Sequence, residues 1–313
     1  MITFRIRDIF TLAAGICGVL MGTTASGSEA FTLDSARAAA VQGDPKAEYY
    51  LARYYLNGDE FSRDETTGAK YMLQAANQGY APAEAGLGSL YARGLGVGQD
   101  FGEAMRWYHK AAAQGDSLAE YCLGYAYSQG QGVPKDLQQA ITWWQQSAAQ
   151  GQVYAESALG QFYFHGEGYN DTNINYPLAA KWLREAAEQD YVPSMNNLGY
   201  LYQMGLGVKR DWPEAIKWYR RAAEHGDAMA QANLGMMYES GDGVAIDKVE
   251  AYKWYSLSAE QGNVEGKHSF QEYNMYHYLS PEQFADAKER VAQFHEWEST
   301  NQLAIVQTGS HTK

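Results

Sequence analysis

Seven histidines, two cysteines and a carboxyl-terminal serine–lysine pair are the residues with most chemistry to offer. A metal site needs ligands that a helix or turn brings to one face a few residues apart. His109, His165, His225, His268, His277, His295 and His311 have no such spacing and read as surface or partly packed side chains. Cys17 and Cys122 are too few for a disulfide scaffold or a cysteine-ligated zinc site. Ser310-His311-Thr312-Lys313 has the Ser-x-x-Lys spacing in which lysine activates a serine nucleophile, but nothing there pre-organises it. Gly94, Gly96 and Gly98 fall in a turn between helices without a preceding strand, so they do not form a phosphate loop. Asp171-x-Asn173-x-Asn175 matches the first half of a calcium loop. The second half fails, because Tyr176 stands where the turn needs Gly and Trp182 where a bidentate Glu belongs. The residues therefore predict no catalytic centre, cofactor or metal. Recognition by surface side chains is the chemistry left to position.

Composition narrows the partner. The chain of 313 residues holds 24 Lys plus Arg against 37 Asp plus Glu, a net charge of −13, which repels phosphate backbones and argues against nucleic acid. A hydrophobic fraction of 46% requires a packed core, and 32 Gly against 7 Pro points to many similar turns. Residues 1–30 differ from the rest. Arg5 and Arg7 precede an apolar run from Ile9 to Met21 and then small polar residues, the pattern of a signal peptide, with cleavage near Ala25 or Ala30. That run is shorter than the roughly 20 residues a bilayer-crossing helix needs, so no membrane span is expected after cleavage. Cys122 would then be the sole cysteine. It shares a repeat position with Gly86 and Ala158 and reads as a small packed residue.

The elements that position surface side chains follow from a repeat. Ala-x-x-x-Leu-Gly-x-x-Tyr-x-x-Gly-x-Gly-Val recurs every 36 residues, in units starting at Ala47, Ala83, Ala119, Ala155, Ser194 and Ala230. The fourth unit is three residues longer. Leu51, Leu87, Leu123, Leu159, Leu198 and Leu234 form one column, and Tyr55, Tyr91, Tyr127, Tyr163, Tyr202 and Tyr238 another. Small residue, Leu and Tyr at i, i+4 and i+8 share one stripe of a helix, here called helix A. Gly88, Gly124, Gly160, Gly199 and Gly235 lie inside it, at about 1 kcal/mol each against Ala, which implies close approach by a neighbouring helix. Helix A should end at Gly94 and its equivalents.

Helix B opens with Asp100-x-x-Glu103, Asp136-x-x-Gln139, Asp211-x-x-Glu214 and Asp247-x-x-Glu250, which predict reciprocal capping boxes. Its stripe, for example Ala104, Trp107 and Ala111, sets Trp against Ala in a seam. Trp107, Trp143, Trp182, Trp218 and Trp254 are therefore assigned to packing and not to ligand stacking. No single hairpin can bury enough apolar surface alone, so the units must stack.

This pattern, continued by Asp-x-x-x-Ala-x-x-Trp-Tyr-x-x-Ala-Ala-x-x-Gly, resembles the Sel1-like repeat, a relative of the tetratricopeptide repeat. The resemblance spans roughly residues 31–298 and implies an all-α fold, a right-handed α-solenoid of antiparallel helix pairs used for protein binding, often in the bacterial envelope. The expected organisation is a signal peptide at 1–30 and a capping helix at 31–46. Six repeats follow at 47–82, 83–118, 119–154, 155–193, 194–229 and 230–265, then capping helices at 266–298 and a disordered tail at 299–313. Some cysteine-rich members are reported to have β-lactamase or penicillin-binding activity. This chain lacks their paired cysteines.

If helix A lines a concave groove, as in the tetratricopeptide relatives, its third, seventh, tenth and eleventh positions face the partner. Those positions supply Tyr49, Arg53, Arg93, Tyr121, Tyr125, Gln161, Phe164, His165, Asn196, Tyr200, Gln203, Met204 and Met236. Exposed aromatic, Met and Arg side chains suit a protein or peptide. The expectation is an exported, non-enzymatic scaffold of the periplasm or envelope. The alternatives are an envelope hydrolase of the β-lactamase or penicillin-binding type and a peptidoglycan or carbohydrate binder.

Overall fold

A computed structural model describes residues 31–58, 63–166, 174–276 and 278–311. The proposed signal peptide and most of the Asp171–Asn175 loop lie outside the described residues. The described residues form fifteen helices and no strand. They fall into two compact units, one ending at Ala155 and the other starting at Glu156. The first unit holds α1 (Leu33–Val41), then the A/B pairs α2 (Pro45–Asn57) with α3 (Glu65–Asn77), α4 (Ala81–Arg93) with α5 (Phe101–Ala112), and α6 (Ser117–Gln129) with α7 (Leu137–Ala149). The dividing point falls in the first turn of α8 (Val153–His165). The second unit pairs α8 with α9 (Tyr176–Glu188), α10 (Val192–Met204) with α11 (Trp212–Glu224), and α12 (Ala228–Ser240) with α13 (Lys248–Glu260), followed by α14 (Val264–Tyr276) and α15 (Pro281–His311).

All six Leu of the helix A column are fully buried. The glycine that follows five of them is where helix B approaches closely. A Cβ on Gly199 would lie 2.8 Å from the Tyr219 ring, and one on Gly235 the same distance from Tyr255. The intruding ring belongs to the residue after the Trp column. Trp107, Trp218 and Trp254 are buried and Trp143 and Trp182 half-buried. Lysine ammonium groups cover four of the five indoles, Lys110 over Trp107 at 4.1 Å, Lys181 over Trp182 at 4.3 Å, Lys217 over Trp218 at 5.4 Å and Lys253 over Trp254 at 4.2 Å. Helix A ends at a left-handed glycine, as at Gly94 with φ 72°. The second glycine of the turn does more than reverse the chain. A Cβ on Gly132 would sit 2.6 Å from the Phe101 carbonyl oxygen, so this turn packs on the start of the preceding unit's helix B.

The helix B caps correct one expectation. Asp100, Asp136 and Asp211 each accept from the backbone N–H three residues on, at 3.0 to 3.1 Å, but the reciprocal half of the box does not form. The N–H groups of Asp100, Asp136, Asp211 and Asp247 instead donate to the carbonyls of Tyr91, Tyr127, Tyr202 and Tyr238. The tyrosine column of helix A thus satisfies the cap N–H of helix B. Glu103 and Glu214 turn outward to Arg106 and Lys217.

A full capping box does form at Ser280 and Gln283, which opens α15 and places Phe284, Val291 and Phe294 against the last hairpin. The last helix, α15, runs on to His311. No Pro interrupts it after Pro281, and the Ser299 and Thr300 hydroxyls donate back to the carbonyls of His295 and Glu296 within the helix.

Candidate binding face

Positions three and seven of helix A decide what it can present. The structure does not expose all of them. Tyr121 is 3% exposed, Tyr125 8% and Asn196 5%. The third position is a contact between successive units: the Asn233 amide donates to Asn196 at 3.1 Å, and Tyr121 meets the Tyr154 ring at 5.9 Å. Neighbouring A helices pack side by side there, a rotation that the spacing within one helix does not reveal.

In the first unit, Tyr49 is half-buried, with the Arg53 guanidinium 5.8 Å from its ring and Tyr80 edge-on at 5.5 Å. Burial raises the Tyr49 phenol above its ordinary value, and the nearby Arg53 charge opposes the rise. Arg93 is exposed and, with Tyr125, lines a cavity of about 400 Å³ between the end of α4 and helices α5 and α6. Buried Cys122 lies on its wall.

In the second unit, Phe164 joins His165 at 4.7 Å, Tyr176 at 6.0 Å and Tyr200 at 5.9 Å in one aromatic cluster. Burial lowers the His165 imidazole below its usual pKa. Gln203 is engaged within its own hairpin, accepting from the Tyr219 hydroxyl at 2.6 Å, and the Gln161 amide donates to Ser157 at 3.3 Å. Met204, 52% exposed, and Met236, 36% exposed, present apolar surface from α10 and α12. The expected residues thus gather into three groups, Tyr49 with Arg53, Arg93 with Tyr125, and Phe164 with His165 and Tyr200. Tyr121 and Asn196 hold the stack, while Met204 and Met236 remain open.

A ladder of part-buried hydrogen bonds involves none of those residues. The Gln78, Gln114, Gln150 and Gln189 amides donate to Glu48, Glu84, Glu120 and Glu156 at 2.7 to 2.8 Å. The last unit has Gln261 on Gln231 at 2.9 Å. Burial pushes all four carboxyls above the ordinary carboxylate range, and each Gln amide draws it back. A raised carboxyl is what a general acid needs, but each of these is bonded to a Gln of its own hairpin. The signal was present as Ala-Glu opening helix A and, in three of the four rungs, Gln-Gly closing helix B, with Gln189-Asp190 in the fourth. Among the described residues, no three His, Cys, Asp or Glu side chains stand close enough to hold a metal ion, and no helix is long and apolar enough to cross a membrane.

The sequence pattern described as the Sel1 repeat matches residues 45–80, 81–116, 117–152, 153–191, 192–227 and 228–263. Each match begins two residues before the small residue that marks the unit, where helix A starts. The fold is similar to the crystal structure of c5321, a protective antigen of uropathogenic Escherichia coli displaying an SLR fold. Identity is 35% and the TM-score 0.71, over 84% of this chain and 56% of that one. This chain therefore spans little more than half of the Escherichia coli protein. A Sel1 repeat protein from Oxalobacter formigenes matches at 28% identity and TM-score 0.65, over 74% of this chain and all of that one. No curated protein matches the chain in sequence.

Proposed function

Since the chain belongs to the Sel1 repeat family, an all-α helical-repeat solenoid fold, we propose that it is a scaffold whose helix A faces bind another protein at the bacterial envelope. The observation that carries this reading is the second unit's helix A face. Phe164, His165 and Tyr200 form an aromatic cluster there, and α10 and α12 of the same unit present the exposed Met204 and Met236. Aromatic rings supply large contact area at little entropic cost, methionines an adaptable one, and both are enriched in protein interfaces. The packing columns cannot serve that role, since Leu, Gly and Trp are committed to the hairpins. Export rests on the basic, apolar and small-residue order of residues 1–30.

A photoreactive residue introduced at Met204 or Met236 in whole cells tests this. The expected result is a discrete protein adduct at both positions and none at Lys217, an exposed position on helix B of the same unit. Adducts at Lys217 with none at the methionines would place the binding face elsewhere.

A further inference from the structure

The cavity of the first unit has a specific origin. The eighth position of helix A reads Tyr54, Leu90, Ala126, Phe162, Leu201 and Met237. Five units fill that place with a larger side chain and the third has a methyl group. A core position cut from Leu to Ala leaves a void because the surroundings collapse only in part. Ala126 lines the cavity of about 400 Å³, within the range of pockets that take small molecules. Its wall is aromatic and sulfur-rich, with the rings of Phe101, Tyr108 and Tyr125 beside Met105 and Cys122. Such a wall favours an aromatic ring over an alkyl chain, through ring–ring and sulfur–ring contacts. Arg93 is the sole charged residue on the lining, and it is already engaged within the protein. A charged ligand would therefore lose its hydration there without a counter-charge in return.

The polar part of the lining is two amides. The Gln99 amide donates to the Ala92 carbonyl at 2.9 Å. The Gln131 side chain has no hydrogen-bond partner among the described residues, and it holds the place of Leu95 and Leu206 in the second and fifth units. Ala126 and Gln131 thus remove a side chain and add a polar group on one cavity, both in the third unit.

We infer that this cavity is a binding site for a small neutral aromatic molecule carrying one hydroxyl group, whose rings fill the volume vacated at Ala126 and whose hydroxyl bonds the Gln131 amide. An apolar cavity of about 150 Å³ already accepts benzene, so this one has room for two fused rings. The site is separate from the protein-binding face proposed on the second unit and does not depend on it.

Equilibrium dialysis at pH 7 with 2-naphthol, naphthalene and decanoate is the test. The natural protein should retain both aromatic compounds. Ala126→Leu and Ala126→Met, which install the residues of other units, should weaken both at least tenfold while leaving the melting temperature equal or higher. Two variants are used so that one which folds is in hand. Gln131→Leu should weaken 2-naphthol at least threefold and leave naphthalene unchanged or tighter, a difference that a merely structural effect would not produce. No retention of either compound up to its aqueous solubility, undiminished retention by the filled variants, or equal loss of both compounds in Gln131→Leu would each overturn the inference. So would displacement of 2-naphthol by an equal concentration of decanoate, which would mark a fatty-acid site. Adducts at Met204 and Met236 alongside any of these failures would leave the scaffold reading intact.

Discussion

Replacing Glu48, Glu84, Glu120 and Glu156 together by Gln is expected to make stability less dependent on pH, with a sign that the ladder dictates. Each carboxyl is buried, and desolvation, the largest influence on it, raises its pKa above that of a free glutamate. Between the unfolded and folded pKa values the native state therefore holds more protons than the unfolded chain. Stability from these groups is full below the unfolded pKa and is lost as pH rises through the folded pKa. The fourfold Gln variant keeps an acceptor for each Gln amide, as the Gln231–Gln261 pair at 2.9 Å already does, and has no charge to desolvate.

Its stability relative to the natural protein should thus increase from pH 4 to pH 7. A charge-assisted hydrogen bond is worth about 1.5–3 kcal/mol and a neutral one about 0.5–1.5, so loss of charge assistance offsets part of the gain at each rung. Glu120→Ala is the contrasting perturbation. It strands the Gln150 amide, now 2.8 Å from a carboxylate oxygen, and should cost about 1–3 kcal/mol at pH 7. Urea unfolding followed by circular dichroism at pH 4, 5, 6 and 7 measures both. A difference between the Gln variant and the natural protein that stays constant over this range, or that grows toward acid, would refute the reasoning.

Gly199→Ala should destabilise by up to about 2 kcal/mol even though Ala is the better helix former. The new Cβ would meet the Tyr219 ring at 2.8 Å, and overpacking of about 1–3 kcal/mol outweighs the roughly 1 kcal/mol of helix propensity; thermal unfolding measures the net. Arg290→Ala should loosen α15. Its guanidinium donates to Glu250 at 2.9 Å and to Asp286 at 3.0 Å, and loss of about 1–2 kcal/mol of local stability would speed amide exchange across α15 by about 5–30-fold.

What periodicity could and could not show divides along a physical line. Leu123 and Gly124 were legible because their roles are set within one hairpin, and a column of six identical demands survives any single departure. The fate of Tyr121 was not, since it depends on how far each helix A is rotated against the next. A hint lay in the third column, Tyr49, Ala85, Tyr121 and Ser157, whose alternation of large and small matches an interdigitating seam. The caps misled for a related reason. Asp100 and Glu103 can close a box, but the Tyr91 carbonyl reaches the same N–H from helix A and wins it. Ala126 was visible in the sequence and went unread, because a search for repeats rewards agreement and passes over the one unit that lacks a side chain.

That asymmetry bears on how any function must be written into such an array. The shared positions are all committed: Leu to the core, Gly to the close approach of helix B, Asp to the cap, and the Tyr backbone to the cap N–H. A residue that every unit needs for packing cannot distinguish one partner from another. Specificity has to sit where a unit breaks its own rule at a tolerable cost, and the array makes such breaks tolerable, because each unit leans mainly on its neighbours. Ala126 stands where five units carry a larger side chain, and the tenth position, Phe164 in the fourth unit, is Leu56, Ala92, Ser128, Gln203 and Glu239 in the others and so is under no shared packing demand. Ala126→Leu, which puts back the residue type of other units, should strengthen or spare the fold, the reverse of what a substitution does in a core column.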